Sequence, residues 1–169
     1  MDVGIVADAK SALKAILSKV KAKTAARSEM PDLMRYRELT QETMTNGMQF
    51  LMAQPARGLN PGQMVFNARS FFPRNAVTVL DGGNTTLWGV AFNQIYEPRS
   101  FLYSVKMGYL GTGIPFAIGA KLAAPERPVY CITGDGAAGF NIMEMETAAR
   151  ENAPIIVLVA VDDGWGMER

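Results

Sequence analysis

The pattern of apolar and polar positions changes character near residue 60. Before that point, residues 3–6 read as a short apolar strand. A helix follows in which Ala9, Ala12, Leu13, Ile16, Leu17 and Val20 recur at helical spacing behind Asp8 as N-cap. Lys10, Lys14, Lys19, Lys21, Lys23 and Arg27 fall mostly off that stripe and form a solvated basic face. Residues 22–59 are charged, Met-rich and weakly periodic, with breaks at Pro31, Gly47, Pro55 and Gly58, so they read as a connector carrying one helix.

At Asn60-Pro61-Gly62-Gln63 a capping residue is followed by proline at the first helical position, and a new helix starts. Beyond it strand and helix signals alternate. The pattern predicts strands over 76–80, 101–103, 129–133 and 155–161, with helices over 85–96, 114–124 and 142–151. This βα repeat predicts an α/β fold, a doubly wound parallel sheet with helices on both faces. Residues 155–161 are apolar throughout, as expected of a central strand covered on both faces.

Composition narrows the function. Half the chain is hydrophobic (49%) and 20% is charged, which predicts a packed globular core within 169 residues. Seventeen basic against sixteen acidic residues leave a net charge of +1 and no reason to expect nucleic acid or an anionic membrane as partner. The chain has no histidine, which excludes Ser-His-Asp hydrolysis and zinc hydrolase chemistry. Its single cysteine, Cys131, falls inside a predicted strand and reads as a small buried hydrophobe. No basic, then apolar, leader opens the chain and no run is long enough to span a bilayer, so the expected location is the cytoplasm.

In doubly wound sheets ligands bind beyond the carboxyl ends of the strands. Gly134-Asp135-Gly136-Ala137-Ala138-Gly139 follows one predicted strand and Asp162-Asp163-Gly164 follows the last. If those strands are neighbours, Asp135 and Asp162 converge at one edge. Paired carboxylates suit magnesium, a hard ion that takes oxygen ligands and commonly shares them with phosphate. The glycines allow close backbone approach to a phosphate, and Asn141 with Glu144 three residues on marks the start of the next helix. A lone Gly-Asp-Gly is also an ordinary turn. A generic nucleotide or flavin site is disfavoured because no Gly-x-Gly-x-x-Gly opens a helix after the first strand.

The order of these motifs resembles thiamine diphosphate (ThDP) enzymes of the branch containing acetolactate synthase, oxalyl-CoA decarboxylase and 2-hydroxyacyl-CoA lyase. Gly134-Asp135-Gly136, then Glu144-Met145-Glu146-Thr147-Ala148-Ala149-Arg150, Pro154 and Asp162-Asp163-Gly164 look like that family's cofactor signature. Leu110-Gly111-Thr112-Gly113-Ile114-Pro115 and Asp81-Gly82-Gly83-Asn84 resemble its upstream turns. The resemblance divides the chain into 1–21, a remnant of a central domain; 22–59, a linker; and 60–169, a ThDP diphosphate-binding domain incomplete at its C-terminus.

The resemblance implies that Asp135, Asp162 and the Gly164 carbonyl ligate Mg2+. It implies that Gly134, Gly136 and Ala137 contact the diphosphate, that Leu110 buttresses the bent cofactor and that Asn84 lies near the phosphate end. The family usually has Asn at the position of Asp162, so this chain carries an extra charge beside the diphosphate. FAD, which some members hold, is not indicated. The implied substrate is a 2-oxo acid or an acyl-CoA. No catalytic residue is expected in this chain, because the activating glutamate belongs to a pyrimidine-binding domain supplied by a partner, in a homodimer, a tetramer or a companion chain. The expectation is a piece that holds part of a site and does not turn over alone; the rival reading is a non-catalytic, degenerate or split module.

Overall fold

The computed structural model describes residues 4–23, 31–54, 58–104 and 108–168. The chain forms two compact units, Met1–Gly47 and Met48–Arg169. In the first, Asp8 caps helix α1 (Ala9–Lys23), its Oδ1 accepting the Ser11 N–H at 2.9 Å. Of the strand expected over 3–6, residue 3 lies outside the described residues and residues 4–6 form no strand. Helix α2 (Pro31–Ala53) runs through Gly47, expected as a break. Glycine costs a helix only about 1 kcal/mol, and the flanking Met, Gln, Glu and Leu are good helix formers.

The second unit holds the βα array. Helix α3 (Pro61–Phe71) starts where Asn60 Oδ1 accepts the N–H of Gly62 at 2.9 Å and of Gln63 at 3.3 Å. Then follow β1 (Val77–Leu80), α4 (Asn84–Phe92), β2 (Phe101–Leu102), α5 (Gly113–Ala123), β3 (Val129–Gly134), α6 (Asp135–Asn141), α7 (Glu144–Arg150) and β4 (Ile156–Ala160). The four strands are all parallel, in the order β2-β1-β3-β4.

Side-chain alternation assigns the helices to faces. Leu80, Tyr130 and Ile132 pack with Val65 of α3 and Phe92 of α4 on one side. Val77, Val79, Val129 and Cys131 pack with Ala117 of α5 on the other, where Ile114, Ile118 and Ala148 bring in α7. The doubly wound architecture is therefore present. Tyr130, fully buried, stacks on Phe72 at 4.0 Å. Its hydroxyl accepts from Thr78 Oγ1 at 2.6 Å and donates to Asn93 Oδ1 at 3.0 Å. Tyr130→Phe is expected to cost about 1 kcal/mol, read as a fall of several degrees in Tm, because Thr78 Oγ1 and Asn93 Oδ1 then keep only each other.

Three local expectations need correction. Helix α4 stops at Phe92, since Asn93 leaves the helix and turns its side chain to Thr78 and Tyr130. Asn141 does not cap α7: it is the last residue of α6, donating from Nδ2 to the Gly111 carbonyl at 2.6 Å, and Met143 holds the cap position. Strand β4 lies at the sheet edge among the described residues, with Ile156 and Val159 47% and 41% exposed. Cys131 is buried as expected, and burial, aided by the charge of Asp81, pushes its thiol up to about 12.

Candidate functional site

The strand order creates the site. From β1 the chain steps to β2 on one side, then crosses back to place β3 on the other, so the order reverses between β1 and β3. The connections leaving their carboxyl ends part there, giving the crevice in which open α/β sheets bind ligands. A cleft of about 940 Å³ lies at this point. Asn84, Leu110, Gly134, Asp135, Gly136, Ala137, Asp162 and Gly164 all line it. Leu59 and Met64 line it from the α3 side, and both tryptophans of the chain, Trp88 and Trp165, face it too.

The acidic turns leave the same edge of the sheet because β3 and β4 are direct neighbours, with Gly134 paired to Ala160. Asp135 opens α6 immediately after β3, its Oδ1 accepting the Gly136 N–H at 2.8 Å. Asp162 follows β4 and packs over Gly166: a Cβ on Gly166 would lie 2.5 Å from Asp162 Oδ2 and 3.2 Å from Asn84 Nδ2. Thus Asn84, the first residue of α4, and Asp162 reach the same spot from opposite sides of the cleft. Among the described residues no group of three or more His, Cys, Asp or Glu gathers as a metal cluster.

Glycines shape the rest. A Cβ on Gly136 would strike the Trp165 indole at 2.5 Å, so the ring lies directly on the Gly-Asp-Gly turn, with Phe140 behind it at 6.0 Å between centroids. Leu110 hangs over the turn after β1, its Cδ2 2.9 Å from where a Gly82 Cβ would stand. The sequence pattern alone assigns no contact between Trp165 and Gly136 and no structural role to Asp81. Asp81 is 1% exposed and joins the turns after β1 and before α5 to the end of β3.

Fold and cleft define a doubly wound α/β domain with an open cleft at the sheet's switch point. Residues 81–169 match the family model described as thiamine pyrophosphate enzyme, C-terminal TPP binding domain. The chain belongs to this family of thiamine pyrophosphate enzymes. It is 39% identical over 107 residues to 2-hydroxyacyl-CoA lyase 2 of Mus musculus, covering 63% of this chain and 17% of that protein. It is 35% identical over 111 residues to sulfoacetaldehyde acetyltransferase of Alcaligenes xylosoxydans xylosoxydans, covering 66% and 18%. Among solved structures it resembles the thiamine diphosphate-dependent 4-hydroxybenzoylformate decarboxylase of Rhodococcus jostii RHA1, with a TM-score of 0.62 and 28% identity over 69% of this chain and 22% of that one. The chain therefore spans less than a fifth of the length of these curated relatives. No helix among the described residues is long and apolar enough to cross a membrane.

Proposed function

We propose that the cleft binds thiamine diphosphate through Mg2+, within an acetolactate synthase-like or acyl-CoA lyase-like enzyme that cleaves or forms carbon–carbon bonds next to a carbonyl. The observation that carries this reading is that Asp135, Asp162 and Asn84 line one cleft at the switch point of a chain in the thiamine pyrophosphate family. An all-oxygen donor set with few protein ligands fits magnesium, which keeps its remaining positions for phosphate and water. Residues 60–169 are the binding domain in this reading, preceded by a linker over 22–59 and a central-domain remnant over 1–21.

Asp135, Asp162 and the Gly164 carbonyl hold the cation. Gly134, Gly136 and Ala137 offer backbone to the diphosphate, and the absence of a side chain at Gly136 makes room for the Trp165 indole. Asn84 at the start of α4 would lie near the phosphate end, and Leu110 would buttress the bound cofactor. When bound, the cofactor supplies the electron sink for bond cleavage beside a carbonyl. The protein's part here is to bind and orient; the group that activates the cofactor comes from a pyrimidine-binding domain in a partner copy or companion chain. The substrate class is a 2-oxo acid or an acyl-CoA.

Asp162 adds a negative charge where the family usually has Asn. Asp162→Asn is expected to tighten ThDP binding at saturating Mg2+ by about threefold to tenfold, because one repulsion of the diphosphate is removed while an oxygen ligand stays. Calorimetric titration of the variant reads this directly. The function itself is tested by intrinsic fluorescence, since both tryptophans line the cleft. Adding ThDP with Mg2+ should give a saturable change that chelation with EDTA abolishes; an unchanged spectrum across the titration would refute the reading.

A further inference from the structure

Asp81 follows β1 at the switch point, and its carboxylate takes four hydrogen bonds. Oδ1 accepts the N–H of Gly82 at 2.8 Å, of Gly111 at 2.8 Å and of Thr112 at 3.1 Å. Oδ2 accepts from Thr133 Oγ1 at 3.1 Å. These donors belong to three separate segments: the turn after β1, the turn before α5 and the end of β3. A carboxylate presents two oxygens that only accept, which suits four converging donors, and bonds to an ionised group are the stronger kind. The fit leaves no slack, since a Cβ on Gly113 would lie 2.8 Å from Oδ2 and 2.6 Å from Cys131 Sγ.

Leu110 directly precedes Gly111. Its backbone is therefore held through the next residue's N–H on Asp81, while its side chain rests on Gly82 and Gly83, the two residues after Asp81. Gly111 has a φ of +84°, which lets the chain turn sharply between Leu110 and the start of α5.

We propose that Asp81 is the positioning residue of the cofactor cleft, its buried carboxylate tying the turn that carries Leu110 to the ends of β1 and β3. This rests on reading the cleft as the ThDP site. Asp81 touches no ligand; it acts through Leu110, whose place over the Gly82-Gly83 turn sets the shape of the cleft between the two ring positions. Thr133 completes the tie by fixing Oδ2, so the end of β3 that leads into Gly134 and Asp135 shares one anchor with Leu110.

The test combines amide hydrogen exchange on the cofactor-free chain, resolved residue by residue by NMR, with ThDP titration in Mg2+. In the unmodified chain the Gly111 and Thr112 amides should exchange as slowly as those of Val79 and Cys131 in the sheet; exchange at the rate of an open loop overturns the tie without any variant. Asp81→Ala should speed exchange at Gly111 and Thr112 by about tenfold or more while Val79 and Cys131 stay protected. It should weaken ThDP binding by about tenfold. Asp81→Asn keeps Oδ1 for the three N–H groups and can donate to Thr133, so it should bring both readouts within about threefold of the unmodified chain. Loss of protection throughout the sheet in Asp81→Ala, with no rescue by Asn, marks a general structural role and overturns the proposal. Unchanged affinity beside a freed turn overturns the positioning role alone. Failure of the unmodified chain to bind ThDP overturns the cofactor reading on which it rests.

Discussion

Asp135→Ala is expected to lower magnesium-dependent ThDP affinity by about 100-fold or more while leaving the fold intact. Asp135 supplies one of the two carboxylates that the proposed cation requires. Its structural duties are light. It is half-buried, and its carboxylate engages the adjacent Gly136 N–H. Placed in the first turn of α6, it also favours the helix dipole, worth about 0.3–1 kcal/mol. The variant should therefore melt within a few degrees of the parent. Calorimetric titration checks the affinity, with Glu126→Ala as a control, because Glu126 is exposed and precedes β3 at the opposite end of the strand. Loss of binding in both variants would remove the special role of Asp135.

Gly113→Ala carries the largest expected effect on stability. In an open helix the exchange of glycine for alanine gains up to about 1 kcal/mol. Here the added methyl would stand 2.6 Å from Cys131 Sγ, 2.8 Å from Asp81 Oδ2 and 2.9 Å from Asp81 Cβ, all of them enclosed groups that cannot swing away. Overpacking of this kind costs about 3 kcal/mol and outweighs the helical gain. The expected fall in Tm is about 10 °C. Gly119 lies in the same helix with nothing within 4 Å of its hypothetical Cβ. Gly119→Ala should therefore stabilise the protein slightly, by about 0.5–1 kcal/mol. Thermal melts of the two variants separate crowding from helix propensity, and similar shifts in both would contradict the packing account.

Much of the fold was legible because its signals are local. The cap at Asn60 lies within a few residues of the helix it starts, and β1 and β3 are short apolar runs that the structure reproduces to within a residue. Strand β4 was read as central because every residue is apolar. That pattern says nothing about whether a strand lies alongside, and among the described residues it leaves Ile156 and Val159 exposed. Helix α6 went unseen because Asp135-Gly136-Ala137-Ala138-Gly139-Phe140-Asn141 holds two glycines and no apolar stripe; its helical geometry comes from the chain turning off β3 beneath Trp165. The same turn removed Asn141 from the cap role and sent it to Gly111.

The residues of the candidate site were legible for a different reason. Strand ends and glycine turns pointed to Asp135 and Asp162, the family resemblance added Gly164, Ala137, Leu110 and Asn84, and all of them line one cleft. The support beneath them was not legible. Asp81 draws donors from residues 82, 111, 112 and 133, a convergence that exists only after β1 and β3 pair and α5 docks on them. An acid before two glycines carries no local sign of that role.

The central claim is that this cleft recognises a diphosphate through a divalent cation. Isothermal titration of the chain with ThDP and with thiamine lacking the diphosphate, each in Mg2+ and in EDTA, tests it most directly. The account predicts saturable binding of ThDP in Mg2+ alone, with thiamine silent in both solutions. Binding of ThDP that is indifferent to EDTA, equal binding of thiamine, or no binding of ThDP in Mg2+ would contradict it.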